Sequence, residues 1–134
     1  MKYGNIPQEL RVLKQWVCAN ENSKVPMQAN CPYPASSTNP ATWASFEDAL
    51  WAVEHGYYDY LGFVFNDNGI VGIDLDDAIE NGHFTTQLAS ELFYLCDSYT
   101  EASKSGTGLH IFVMGDIPFK GTPTPYATYY MAIA

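Results

Sequence analysis

The chain has 134 residues, of which 47% are hydrophobic and 15% aromatic, a composition typical of a globular domain and not of a disordered segment. Six lysines and arginines oppose fifteen aspartates and glutamates, for a formal net charge of −9. A protein that grips nucleic acid unaided is usually basic, because phosphate neutralisation supplies most of the affinity. The charge therefore argues against tight nucleic-acid binding by this chain alone, and it suits a site that holds cations.

The cysteines Cys18, Cys31 and Cys96 are odd in number and lack C-x-x-C spacing, which disfavours a disulfide framework and a zinc site. Free thiols are typical of a reducing compartment. Residues 1–15 lack the apolar segment of a signal peptide, and no apolar run approaches the length of a membrane span. We therefore expect a cytoplasmic protein with no membrane partner.

In the first half of the chain, hydrophobic patterns predict a strand and a helix separated by a long loop. A turn or helical start at 6–10 precedes a strand at 13–19, and residues 20–40 form a loop rich in Asn, Ser and Pro. Ser45 begins a helix in a sequence that resembles a capping box, and Gly56 is placed to end it.

In the second half, strands are predicted at 61–65 and 70–75, and the sequence NDNG at 66–69 indicates a hairpin turn between them. The remaining elements are a helix at 85–97 with Leu88, Leu92 and Leu95 on one stripe, an extended piece at 99–102, a glycine-rich turn at 105–108 and a strand at 109–114. This alternation predicts an α+β fold, a mainly antiparallel sheet with helices packed on it, in a single domain over 1–134.

Two carboxylates, Asp74 and Asp76, stand at the end of a predicted strand, where aspartate is disfavoured. Strand alternation would project both from one face, about 6.6 Å apart, with Ile73 and Leu75 directed to the core. Such a pair is stable when a cation lies between the charges, and Mg²⁺ or Mn²⁺ prefers carboxylate oxygens. Phosphoryl transfer uses this arrangement. The alternative is an ordinary solvent-facing strand end.

The segment 103–110, SKSGTGLH, is the second candidate. Its glycines allow backbone N–H groups to approach an anion, and its side chains add donors. The candidate nucleotide-binding residues are Lys104, Ser105, Gly106, Thr107, Gly108 and His110, with Lys24 of the long loop as a further cation. Alternation would place His110 on the open face of the sheet with the two aspartates. The alternatives are a common glycine-rich turn, an edge histidine and a solvated lysine.

The order of short motifs along the chain is more specific than any of them alone. The motifs are IPQEL at 6–10, KQWV at 14–17, KVP at 24–26, NPATWASF at 39–46, LGFVF at 61–65, GIDLD at 72–76 and SGTGLHI at 105–111. In this order they resemble the N-terminal prim-pol domain of phage and plasmid replication proteins in the archaeo-eukaryotic primase superfamily. The resemblance covers about 5–118, whereas 121–134 does not match.

The resemblance implies a catalytic sheet like that of the RNA-recognition motif and template-directed nucleotidyl transfer, as in DNA primases and polymerases, with two divalent metals, Mg²⁺ or Mn²⁺. By position, Asp74 and Asp76 match the family's metal-binding motif. Ser105 and His110 match its nucleotide-phosphate motif, and His110 is counted with the aspartates as catalytic. Lys24 matches a loop lysine of relatives.

The chain departs from the family near its end. Relatives carry a third acidic residue shortly before an arginine-containing segment, whereas here no acidic residue follows Asp116 and Arg11 is the only arginine. We therefore expect a truncated domain that binds a nucleoside triphosphate with metal, holds a DNA template weakly, and does not synthesise primers. Alternatives are a non-catalytic nucleotide-binding or assembly remnant of a prophage or plasmid replication protein, and an unrelated metal-dependent phosphohydrolase. A homodimer through an uncovered sheet edge is also expected, unless the apolar tail at 129–133 covers that edge within the chain.

Overall fold

A computed structural model of the chain describes residues 3–66, 68–114 and 130–133. They divide into two compact units: the first holds the described residues up to Asn66 together with 130–132, and the second holds 68–114 and Ile133. Residues 115–129 and 134 lie outside the described part, so the single-domain extent and the mismatch over 121–134 stay predictions. None of the helices in the described ranges is long and apolar enough to cross a bilayer.

The fold is α+β with antiparallel sheets, as predicted. Its elements in chain order are α1 (Gln8–Arg11), β1 (Trp16–Ala19), a 3-10 helix (Pro40–Thr42), α2 (Phe46–Glu54), β2 (Tyr60–Val64), β3 (Ile70–Leu75), β4 (Ile79–Glu80), β5 (His83–Phe84), α3 (Gln87–Cys96), β6 (Thr100–Ala102), β7 (Leu109–Met114) and β8 (Tyr130–Ile133). The strands form sheets of order β1-β2-β8, β3-β7-β6 and β4-β5.

The core of the first unit is aromatic. Trp16 on β1 pairs with Phe63 on β2 and is fully buried. Its ring also meets that of Phe46 on α2, at a centroid distance of 5.0 Å. The Ser45 hydroxyl accepts a hydrogen bond of 3.1 Å from the backbone N–H of Asp48, which confirms the predicted helix start.

The predicted hairpin between β2 and β3 is wrong, because the two strands lie in different sheets. Gly69 does adopt the positive φ of 90° that turn chemistry favours. Asp67 lies outside the described residues, so the turn itself stays a prediction. Strand pairing, in contrast, depends on partners far along the chain. β2 pairs with β1, and β3 pairs with β7.

Part of the apolar tail forms β8, which lies beside β2 as the third strand of the first sheet. This corresponds to cover of a sheet edge within the chain, one of the two possibilities that the sequence left open. Tyr129 lies outside the described residues. The homodimer stays a prediction.

The leucine stripe of α3 is not its buried face. Leu88 and Leu95 are 60% and 68% exposed, whereas Ala89 is buried with Ala78 and Leu109. Ala89 packs with Leu109 of β7, and Leu92 is half-buried, so the buried face of the helix includes only part of the leucine stripe. Helical spacing identifies a stripe, but the neighbouring strand decides which face is covered.

Cys18 provides a test of burial in the first unit. Its side chain is fully buried, and burial raises the pKa of its thiol from the ordinary 9.0 to about 12. The folded protein therefore keeps the proton that the unfolded chain releases above pH 9.0. We expect this contribution to the free energy of unfolding to be complete below that pH and to be lost progressively as the pH rises towards about 12.

Urea denaturation at a series of alkaline pH values measures this effect. Cys18→Ala should lose part of the alkaline slope, whereas Cys96→Ala, at a partly exposed position, should keep it. Thiol labelling of the native protein should likewise leave Cys18 unmodified while Cys31 and Cys96 react. Equal slopes in both variants would contradict the burial argument.

Candidate functional site

The sheet of the second unit brings three ionisable side chains into line across three strands. In the antiparallel register, His110 on the central strand β7 is the partner of Asp74 on β3 and of Glu101 on β6. The His110 Nε2 atom lies 3.5 Å from Asp74 Oδ1, and Nδ1 lies 3.3 Å from Glu101 Oε1. Asp74 and His110 therefore share one sheet face on neighbouring strands, as strand alternation predicts.

The burial of these side chains differs sharply. Asp74 is 51% exposed, whereas His110 is 10% and Glu101 is 11% exposed. The sequence placed His110 on an open face, but its strand has a neighbour on each side, and the flanking side chains cover it. The result is an accessible carboxylate beside an imidazole held in place.

Asp76 follows a different local structure from Asp74. β3 ends at Leu75, so Asp76 lies in the turn that follows, and it is exposed. The next residue, Asp77, has a left-handed φ of 49°. Strand alternation therefore does not set the direction of Asp76. Among residues 3–66, 68–114 and 130–133, no three histidine, cysteine or acidic side chains gather in a group that could hold a metal ion.

The glycine-rich loop between β6 and β7 is closed by its own hydrogen bonds. The Ser103 N–H donates to Gly108 O at 2.9 Å, and the Gly106 N–H donates to Ser103 O at the same distance. The Ser105 hydroxyl lies 2.8 Å from that of Thr107, and both residues are exposed. The loop thus presents a short row of hydroxyl groups to solvent.

This loop is attached to the turn that follows β3. Thr107 O accepts hydrogen bonds from the backbone N–H groups of Ala78 and Ile79, at 2.7 and 3.0 Å. At Gly108 a side chain would meet Leu75 O at 2.9 Å, so only glycine fits without movement. The candidate phosphate-binding loop is therefore fixed to the end of β3 and its following turn by backbone hydrogen bonds and close packing.

Comparison of the amino-acid sequence with known proteins identifies a relative of this chain. No protein-family model matches the chain. A curated relative, the DNA Primase-polymerase of Nitratiruptor phage NrS-1, is 36% identical over 108 residues, which cover 78% of this chain and 15% of the relative. The chain is a homologue of phage DNA primase–polymerases. The resemblance seen in the order of motifs is thereby confirmed, although the chain spans only a small part of the relative's length.

The candidate lysines of this primase–polymerase homologue lie in different places. Lys104 is exposed in the glycine-rich loop, next to Ser105. Lys24 is exposed in the long loop of the first unit, whereas the other candidates belong to the second. Its part in the site stays a prediction.

Sequence reasoning missed Glu101, although a signal was present. If Ser103 and Gly108 close a loop, then antiparallel pairing makes Ala102 the partner of Leu109 and Glu101 the partner of His110, as the structure shows. The hydrophobic pattern predicts only a short extended piece at 99–102, with no partner for Glu101. Counting the hairpin register outward from the loop would have found the contact.

A separate cavity of about 560 Å³ lies in the first unit. Its lining includes Asn30, Trp51, Tyr57 and Tyr58, and the Tyr58 hydroxyl donates to Cys31 O at 2.9 Å. None of the described lining residues is charged, so the cavity lacks a cation or carboxylate for a metal-bound triphosphate. The sheet of the second unit is chemically better suited to a nucleotide.

Proposed function

We propose that this chain binds a nucleoside triphosphate together with Mg²⁺ or Mn²⁺, as a homologue of a phage DNA primase–polymerase. The observation that carries the proposal is the pairing of Asp74 with His110 beside the glycine-rich loop. Homology to a protein named DNA Primase-polymerase supports the same chemistry.

In this proposal Asp74 and Asp76 hold the metal. Mg²⁺ usually binds through one or two carboxylates plus substrate phosphates, and it keeps several waters. The donor set fits this mode, since Asp74 is half exposed and the turn carries a second carboxylate. A bound ion would neutralise the charge of the phosphates.

The loop and His110 are proposed to hold the phosphates. The N–H groups of Gly106 and Gly108 are donated within the loop, to Ser103 O and to the Ser103 hydroxyl. The groups left to meet an anion are the exposed hydroxyls of Ser105 and Thr107, which lie 2.8 Å apart and can rotate towards it. The His110 ring offers a nitrogen beside Asp74, where a metal-bound phosphate would lie. Lys104, next to Ser105 in the same loop, adds positive charge for the triphosphate.

We further propose that this chain does not synthesise primers by itself. Nucleotidyl transfer uses two ions in fixed positions, and two carboxylates hold a second ion loosely. A net charge of −9 also gives a template little to bind. A cytoplasmic location and the homodimer belong to the same proposal. The second candidate, an assembly remnant with no nucleotide site, is separated from the first by the binding test below.

Isosteric Asp74→Asn is expected to weaken metal-dependent nucleotide binding by about tenfold to a hundredfold, the size expected when a charge-assisted contact is lost. Calorimetric titration of a nucleoside triphosphate with and without Mn²⁺ measures it. The matched control is Asp97→Asn, an exposed carboxylate whose left-handed φ of 42° asparagine tolerates.

Two results would overturn parts of the proposal. If binding is absent, or if Asp74→Asn and Asp76→Asn leave it unchanged, the chain is an assembly remnant. If the chain extends a primer on a template with Mn²⁺, and Asp74→Asn abolishes the product, the incomplete-site argument is wrong.

A further inference from the structure

We infer that Glu101 is a positioning residue for His110, and that it holds the imidazole ring so that Nε2 faces Asp74 and any ligand bound there. The inference rests on the proposed function for the meaning of that site, but not for the contact itself. Glu101 Oε1 lies 3.3 Å from His110 Nδ1, on the side of the ring opposite to Asp74.

Both oxygens of the Glu101 carboxylate are engaged. While Oε1 faces His110, Oε2 accepts a hydrogen bond of 2.8 Å from the Tyr99 hydroxyl. The side chain is 11% exposed, and a carboxylate this far from water is costly unless it is hydrogen-bonded. The two bonds therefore fix the carboxylate as well as the ring.

The contact between Glu101 and His110 Nδ1 selects one tautomer of the imidazole ring. A carboxylate is an acceptor only, so Nδ1 must carry the proton for the bond to Glu101 to exist. A neutral His110 ring then leaves Nε2 as an acceptor, whereas a protonated ring donates from both nitrogens and can hold a phosphate oxygen. The other neutral tautomer would donate from Nε2 to Asp74, and it is disfavoured because Glu101 is both closer to the ring and less exposed to water than Asp74.

Geometry argues against a direct metal role for Glu101. Asp74 and Glu101 lie on the strands that flank β7, two inter-strand spacings or about 9.6 Å apart along the sheet. One ion with oxygen ligands at about 2.1 Å does not reach both. Orientation of a functional imidazole by a carboxylate is, in contrast, a common arrangement.

Tyr99 is itself anchored to the strand that carries His110. Its carbonyl oxygen accepts from the Phe112 N–H at 2.9 Å, and the two rings lie 5.5 Å apart. A connected series of contacts thus runs from Tyr99 through Glu101 and His110 to Asp74. Three strands of one sheet hold it, which is the kind of support that keeps a functional side chain in one orientation.

The test measures the tautomer of the His110 ring directly. Nitrogen-15 chemical shifts of the His110 imidazole, recorded where the ring is neutral, should show the proton on Nδ1 in the unmodified chain. In Glu101→Gln the amide can donate as well as accept, so the two tautomers should mix. Tyr99→Phe should shift the balance less. Glu80→Gln, an exposed carboxylate of the same unit, should leave it unchanged, and His55 serves as the internal reference.

Nucleotide titration of the same variants tests whether the orientation of the His110 ring affects nucleotide affinity. Glu101→Gln should bind about tenfold or more weakly, as is typical when a side chain that orients a ligand group is altered. Unchanged His110 shifts in Glu101→Gln would overturn the inference. Loss of Mn²⁺ binding with an unchanged tautomer would also overturn it, because Glu101 would then be a ligand. A changed tautomer in a chain that binds no nucleotide would support the positioning role while refuting the proposed function.

Discussion

Gly108→Ala is expected to destabilise the second unit by about 1–3 kcal/mol, the usual cost of an overpacked methyl group, and to weaken nucleotide binding with it. The new Cβ would lie 2.9 Å from Leu75 O and 3.0 Å from the Ser103 hydroxyl. The serine can rotate away, but the carbonyl belongs to the backbone of β3. Movement there disturbs both the loop and the strand end that carries Asp74.

Urea denaturation followed by circular dichroism measures the first effect, and nucleotide titration measures the second. Gly82→Asn is the control, because Gly82 has a φ of 78° with nothing within 4 Å of an added Cβ, and asparagine tolerates that conformation. Its free energy of unfolding should change by about 0.5 kcal/mol or less. A Gly108→Ala variant as stable as this control would show that the contact relaxes freely.

Trp16→Ala is expected to lower the free energy of unfolding by about 3–5 kcal/mol, the range for removal of a buried aromatic side chain. Trp16 is fully buried, and its ring lies 5.0 and 5.1 Å from those of Phe46 and Phe63. Its Nε1–H donates to Leu10 O at 3.1 Å, so the substitution also leaves a buried acceptor unpaired.

Chemical denaturation monitored by circular dichroism checks this loss. Trp51→Ala is the matched control, since Trp51 is 53% exposed and its ring stacks on those of His55 and Tyr57. It should cost about 1 kcal/mol. If the two variants were equally stable, the aromatic cluster around Trp16 would not be the main core of the first unit.

Where local rules apply, sequence reasoning reached the structure closely. The predicted strands at 70–75 and 109–114 are β3 and β7, with the same bounds. The helix begins after Ser45, whose hydroxyl makes the expected cap. These features depend on residues a few positions apart, and the interactions that form them are present in the sequence itself.

The pairing of strands and the buried face of the helix α3 were predicted less well. The NDNG turn lies between strands of two sheets, and the leucines of α3 at 88 and 95 are exposed. A turn residue reports its own backbone conformation and not the partner of the strand that follows. Likewise, a helix stripe is covered only where a neighbouring element lies against it.

The amino-acid sequence by itself determined the α+β class, the bounds of β3 and β7 and the resemblance to phage primase–polymerases, because strand alternation, capping and motif order depend on residues close together in the chain. Only the tertiary structure decided that Glu101 reaches His110 and that His110 is nearly buried. These outcomes depend on which strands become neighbours. Neighbouring strands bring together side chains whose separation in sequence carries no sign of contact until the register is known.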